Sequence, residues 1–236
     1  MTLFERIHVK GFRRLADVDL PLRPLCVLIG ANGSGKTSLL DVFSLLAASA
    51  AGNLKTTLSD MHGMAANITI DRARQMSFEL SMNVPDYKPL VYELSLAPSA
   101  VAYEIAEETL SQDRGHPSPF KHFQSSHAEI RYYEPSSGLI RPTWQHNPLE
   151  TSLAQVPKLF PEPEDFRQRL GSSTHYHVLN VDPRSPVRLP QPLQPATLPG
   201  ANGEDLVSCL FYLRETDRDR FDAVEDTLRA GFRGFD

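Results

Sequence analysis

The sequence predicts an α/β protein, and three observations predict it. A short continuous apolar run, "LCVLIG", leads into closely spaced glycines and then into helical spacing. From Met76 onward apolar residues alternate with polar ones, the period of a strand with one wet face. After Gly200 the spacing becomes helical again.

Taken in order, "FERIHVKGF" and "LADVDLPL" alternate at Ile7 and Val9 and at Ala16, Val18 and Leu20. They read as two strands joined by the polar link "KGFRR". "LCVLIG" has the pattern of a strand buried on both faces. Leu39, Phe43 and Leu46 then mark one face of a helix that stops at Gly52-Asn53. Phe78, Leu80, Met82 and Val84 alternate, as do Tyr92, Leu94 and Leu96, then Val101, Tyr103 and Ile105, and later Ile130 and Tyr132. These predict an antiparallel meander. Only Pro21 and Pro24 of the 19 prolines precede Pro85. Residues 112–123 and 135–199 are therefore predicted as mostly loop, with a short helix around "PEDFRQRL". Asn202 is placed to cap a helix carrying Leu206, Leu210 and Leu213. Thr216 with Asp219 resembles a capping box for a second, carrying Phe221, Val224 and Leu228. The resulting segments are 1–60 (strands, glycine loop and helix), 61–134 (antiparallel β), 135–200 (proline-rich) and 201–236 (helical).

Composition narrows the function classes. The 236 residues are 41% hydrophobic and 22% charged, as in ordinary soluble globular proteins. No apolar run approaches the roughly 20 residues that cross a bilayer, and "MTLFERIHVKGF" carries charges inside what would be a signal core. Cys26 and Cys209 are too few for a disulfide framework, which suits a reducing cytoplasm. A net charge of −5 does not describe a globally basic nucleic-acid binder.

The chemistry is concentrated at "GANGSGKT". Gly30, Ala31, Asn32, Gly33, Ser34, Gly35, Lys36 and Thr37 fit G-x-x-x-x-G-K-[ST] position by position. A polyphosphate needs several backbone N–H groups converging on it, and glycines let the chain curl so that they point inward. A helix beginning beside Gly35 adds its positive end. Lys36 is placed to reach the β- and γ-phosphates, and the Thr37 hydroxyl to ligate Mg²⁺. A ligand-free glycine turn is disfavoured, because the motif sits between an apolar run and a helical one.

"IHVKGFRRLADVDLPLRPLCVLIGANGSGKTSLLDVF" resembles the N-terminus of the RecF/SMC/OLD-type ATPases, the ABC-class branch of P-loop proteins, and of their predicted AAA-type relatives. The residues that carry the resemblance are Gly11-Phe12-Arg13 and Asn32 to Thr37, with "YELSL", "YEIAEETL" and "LPGANGEDLVSCLFYL" matching at the level of pattern. The resemblance implies a P-loop NTPase lobe of ABC-ATPase type with an inserted antiparallel β-sheet subdomain and C-terminal helices. It implies ATP and Mg²⁺ as cofactors and a nucleotide contact from Arg13. It also implies a head-to-tail homodimer or a second polypeptide as partner, and DNA as the substrate in repair or phage defence.

Such ATPases also carry a signature loop, a Walker B strand ending in Asp-Glu, and a switch histidine. None is found here, so no catalytic residue is assigned. "HVLNVDPRS", ending its apolar part at Asp182, has Asn180 inside the run and no following Glu. The expectation is an N-terminal portion lacking the C-terminal half of the NTPase core, hydrolysing ATP only when completed. The alternative is a non-catalytic nucleotide-binding module that regulates assembly with a partner. A guanine-specific protein is disfavoured by the absence of N-K-x-D.

Other clusters read more plainly. His116, His122 and His127, and His175 with His177, match no zinc spacing. Glu107-Glu108 reads as a solvated strand end or turn. Tyr132, Tyr133 and Trp144, with Arg131 and Arg141, could stack on single-stranded nucleic acid, but sheet packing explains Tyr132 more simply.

Overall fold

The computed structural model describes residues 4–70, 73–100, 102–127, 129–173, 175, 176, 182–200, 203–232 and 234. The chain divides into two compact units, residues 1–173 and 174–236.

The first unit is built on one eight-stranded antiparallel sheet. Its strands are β1 (Phe4–Phe12), β2 (Leu15–Pro21), β3 (Met76–Met82), β4 (Leu90–Pro98), β5 (Tyr103–Gln112), β6 (Phe120–Ser126), β7 (Glu129–Glu134) and β8 (Gly138–Ile140). The spatial order is β2-β1-β3-β4-β5-β6-β7-β8. β1 pairs with both β2 and β3. The strands expected as an inserted subdomain therefore extend the N-terminal hairpin's sheet. The reason is geometric: β1 has a free edge once β2 has paired with the other, and an unpaired buried edge is costly.

Alternation decides the layers. Ile7, Val9, Phe78, Leu80, Tyr92, Leu94, Leu110 and Phe123 face inward. They form one hydrophobic cluster with Leu39, Val42, Leu45 and Leu46 of helix α1 (Lys36–Ala50). Helices α2 (Leu54–Asp60), α3 (Met64–Asn67), α4 (Ser152–Gln155) and α5 (Pro161–Gly171) complete this layer. Phe166 of α5 stands 5.5 Å from the ring of Tyr92 and 5.7 Å from that of Phe4. The opposite face of the sheet is polar. Arg6 bridges Asp19 and Glu79 there, at 2.6 and 3.1 Å, and Glu79 lies directly across from Glu93.

Two bulges change what alternation alone would give. Between β4 and β5 the register moves from Leu96↔Ile105 to Ser95↔Glu107, leaving Ala106 as the extra residue. The phase of β5 shifts by one, so that Ile105, Glu108 and Leu110 all turn inward. Glu108 is thus fully buried and not the solvated strand end the sequence suggested. It accepts hydrogen bonds from the Tyr92 hydroxyl (3.0 Å) and from the N–H groups of Ser152 (2.6 Å) and Leu153 (2.9 Å). Burial raises its pKa, and burial with the nearby Glu108 charge drives that of Tyr92 well above the usual phenol range. A second shift, between Leu110↔Phe123 and Ser111↔Lys121, makes His122 the extra residue of β6. His122 is buried, and burial pulls its pKa down to about 4.

The expected strand at "LCVLIG" does not form. Residues 25–31 have no ladder partner, and Leu25, Val27 and Ile29 are 80%, 71% and 91% exposed. A strand buried on both faces needs a neighbour on each side, and no described strand runs beside this segment.

In the second unit, α6 (Leu206–Thr216) and α7 (Arg218–Gly231) follow a 3₁₀ turn at Pro186–Arg188. Asn202 lies outside the described residues, as do 177–181 of "HVLNVDPRS". α6 starts after Asp205, which holds a left-handed conformation. The cap of α7 is Asp217, accepting from the N–H of Arg220 at 3.2 Å, and not Thr216. A carboxylate one residue closer to the helix reaches that N–H directly. No described helix is long and apolar enough to cross a membrane.

Candidate functional site: a phosphate cleft at the start of α1

The site begins with the backbone. Gly33 and Gly35 have φ of 78° and 98°, a region that residues with a Cβ rarely adopt. A Cβ on Gly35 would also stand 2.9 Å from Leu15 Cδ2, in the buried end of β2. The loop therefore lies directly on the sheet's first hairpin. α1 starts at Lys36 with no side-chain cap on its first N–H groups. These donors, with the helix's positive end, are available to an anion.

The loop borders a cleft of about 900 Å³. Asn32, Gly33, Ser34, Gly35, Lys36 and Thr37 line it, and so does Arg13. Gly30 does not line it. Its carbonyl instead accepts from the Lys36 ammonium at 2.6 Å, alongside that of Ala31 at 2.8 Å. The ammonium thus rests on loop carbonyls, a weaker partner for a cation than an anion would be. Thr37, on the first turn of α1, lines the cleft beside Lys36.

Arg13, for which the resemblance implies a nucleotide contact, borders the cleft and is also held by partners within the fold. It adopts φ 48° in the turn between β1 and β2. Its N–H donates to the Asn67 carbonyl at 2.6 Å, and Nε to Asn67 Oδ1 at 2.8 Å. Its Nη1 pairs with Asp41 of α1. Asn67 is fully buried and donates from Nδ2 to the carbonyls of Met61 and Gly63, at 2.8 and 2.7 Å. Arg13 therefore fastens the turn to α1 and α3 while bordering the cleft.

Two residues bear on the cleft that sequence reasoning missed. Arg14 Nη1 donates to the carbonyl of Gly33 at 3.1 Å. Thr69 also lines the cleft, with a hydroxyl that has no partner among the described residues, although the residue is only 8% exposed. An unpaired buried hydroxyl is costly, and it fits a polar ligand in this cleft. The sequence offered a signal for Arg14, the doubled arginine of "GFRR", and none for Thr69.

Three cations border the cleft, and one of them, Arg13, is already paired with Asp41. Arg13, Arg14 and Lys36 line it, and no carboxylate does so among the described residues. The glycine conformations, the uncapped helix start, the cations and the orphan hydroxyl all fit a nucleotide polyphosphate with Mg²⁺. The aromatic cluster behaves otherwise. Tyr132 is buried 5.0 Å from the ring of Trp144, and Arg131 and Arg141 both pair with Glu129, at 2.7 and 2.9 Å. Tyr132, Trp144 and the two arginines thus belong to the sheet and its cover. Among the described residues no group of three or more His, Cys, Asp or Glu could hold a metal ion.

Comparison with known proteins adds two findings. A model of the AAA ATPase domain matches residues 3–128, a span that includes the whole cleft. An OLD nuclease of Thermus scotoductus is 48% identical over 44 residues, which make up 19% of this chain. The chain spans only 8% of the length of that curated relative.

Proposed function

Because this chain belongs to the AAA ATPase domain family, we propose that the Gly30–Thr37 loop binds the phosphates of ATP and that this binding serves an ATPase of the OLD/RecF kind. The observation that carries the reading is the Lys36 ammonium resting on the carbonyls of Gly30 and Ala31 at the uncapped start of α1. An incoming phosphate offers that cation a charged partner in place of two neutral ones. Loop N–H groups hold the phosphate oxygens, and the Thr37 hydroxyl holds Mg²⁺. When bound, the metal supplies charge neutralisation at the β- and γ-oxygens.

In this proposal the fold is the ABC-class version of a P-loop NTPase lobe. A second copy of the chain or a second polypeptide closes over the phosphates and supplies what positions the attacking water. DNA is the proposed target, in repair or defence, supported by the likeness to an OLD nuclease. Calorimetry with ATP tests the site: the wild type binds, and Lys36→Ala binds at least tenfold more weakly. Equal affinity of the two proteins would refute it.

A second reading is favoured by the absence of any carboxylate among the cleft's described lining. Without one to order water, the chain acts alone as a nucleotide-binding module that governs assembly. Phosphate release by the purified chain at an ordinary enzyme rate would rule this reading out.

A further inference from the structure

Two arginines fill the two-residue turn between β1 and β2, where Phe12 pairs with Leu15. The fold sets them to different tasks. Arg13 is committed on the helix side: its guanidinium meets Asn67 and Asp41, and its backbone N–H meets the Asn67 carbonyl. Arg14 is exposed, and no carboxylate lies within ion-pair distance of it among the described residues. Its contact with the loop is a single bond from Nη1 to the carbonyl of Gly33. A guanidinium carries five donors and keeps its charge at any physiological pH. One neutral acceptor leaves most of that capacity unused.

The approach to Gly33 is close. A Cβ there would stand 3.3 Å from Arg14 Nη1 and 3.8 Å from its Cζ, so the guanidinium lies against the bare glycine. Arg14 thereby reaches the middle of the phosphate loop from the sheet side, while Lys36 reaches it from the helix side. Both cations rest on loop carbonyls, Lys36 on those of Gly30 and Ala31, Arg14 on that of Gly33.

Building on the assignment of this cleft to a nucleotide's phosphates, we propose that Arg14 is a direct phosphate-binding residue. It leaves the Gly33 carbonyl to take the oxygens of the bound polyphosphate, while Arg13 is the brace of the turn. Arg14 suits this role because its planar fork matches a phosphate group and, among the described residues, no carboxylate holds its charge.

The test is calorimetry with ATP and with inorganic tripolyphosphate, which lacks the nucleoside. It uses the full chain as wild type, Arg14→Ala, Arg14→Gln, Arg14→Lys and Lys36→Ala. Loss of one charge-assisted contact is expected to weaken both ligands about tenfold in Arg14→Ala. Arg14→Lys keeps the charge and is expected to stay within about threefold of wild type, in line with lysine's use as a phosphate binder. Arg14→Gln can still donate to the Gly33 carbonyl but has no charge, and is expected to be as weak as the alanine variant. Wild-type affinity in Arg14→Ala, with Lys36→Ala impaired, would overturn the role of Arg14 and leave the phosphate site standing. Full affinity in Arg14→Gln would reduce Arg14 to a loop brace and also overturn it. No heat from the wild type with either ligand would overturn both this inference and the site beneath it.

Discussion

Removing the Glu108 carboxylate is expected to unfasten the back of the phosphate helix. Glu108 accepts from three buried donors: the Tyr92 hydroxyl and the N–H groups of Ser152 and Leu153. The next residue back, Thr151, donates through Oγ1 to the carbonyl of Ser49 at 2.8 Å, near the C-terminal end of α1. Glu108→Ala leaves the N–H groups of Ser152 and Leu153 without their acceptor and takes from the Tyr92 hydroxyl its charged one, with Ser49 and Thr151 still beside it. Each such group costs about 1–3 kcal/mol. Freeing the protein from burying a carboxylate returns part of that, so the loss is expected near the low end, about 3–4 kcal/mol. That is a large share of the roughly 5–15 kcal/mol that holds a typical domain together. Glu108→Gln keeps the volume but turns an amide N–H toward a backbone N–H, and about 1–3 kcal/mol is expected. Urea unfolding followed by circular dichroism measures both. A loss below about 1 kcal/mol for the alanine variant would refute the reasoning, because unsatisfied buried donors cannot be that cheap.

The same carboxyl gives a pH signature. Its folded pKa is raised by burial, so its contribution is full below the ordinary value of 4.5 and declines as pH rises through the folded value. Wild-type stability measured against Glu108→Gln should therefore fall with rising pH, and a rise would contradict it. His122 runs the other way. Its pKa drops from 6.5 to about 4, so stability is expected to fall as pH drops through that window, by at most about 3 kcal/mol. His122→Phe should flatten this slope, and an unchanged slope would place the titration elsewhere. Gly35→Ala forces a Cβ into a left-handed conformation and against Leu15; a cost of about 1–2 kcal/mol in thermal unfolding is expected, with loss of ATP binding. Thr37→Val should weaken ATP binding when Mg²⁺ is present and leave it unaltered in EDTA; equal weakening in both would separate Thr37 from the metal.

Local periodicity made most strands legible. β3, β4 and β7 fall where Phe78 to Met82, Tyr92 to Leu96 and Ile130 to Tyr132 alternate. α5 falls at "PEDFRQRL", where Pro161 opens the first turn. Alternation failed where one residue was inserted: Ala106 and His122 each shift the phase of a strand, and a bulge is fixed by pairing with a neighbour that the sequence does not reveal. β6 begins inside the stretch 112–123 that composition marks as loop, and the His122 bulge keeps its first residues from showing a period of two. α2 and α3 were missed because short helices owe their stability to packing, here of Leu54, Leu58 and Met64. At the site, the glycines and Lys36 were legible because their chemistry is local. Thr69 was not, because the chain's path brings it to the cleft from 32 positions beyond Thr37.

The polar side of the sheet bears on where a polyanion can approach. Glu79 and Glu93 face each other across β3 and β4, and Glu107 lies beside them. Burial, then the charges of Glu79 and Glu107, raises the pKa of Glu93, which is the mark of carboxylates crowding one another. A phosphate backbone laid across this side would meet those carboxylates, interleaved with Lys10, Lys121 and Arg131. Arg14 and Lys36 border the cleft instead, with no carboxylate among its described lining residues. A strand reaching Arg14 and Lys36 would meet the cations proposed to hold nucleotide phosphates, so that the loop's occupant and the strand would compete for them.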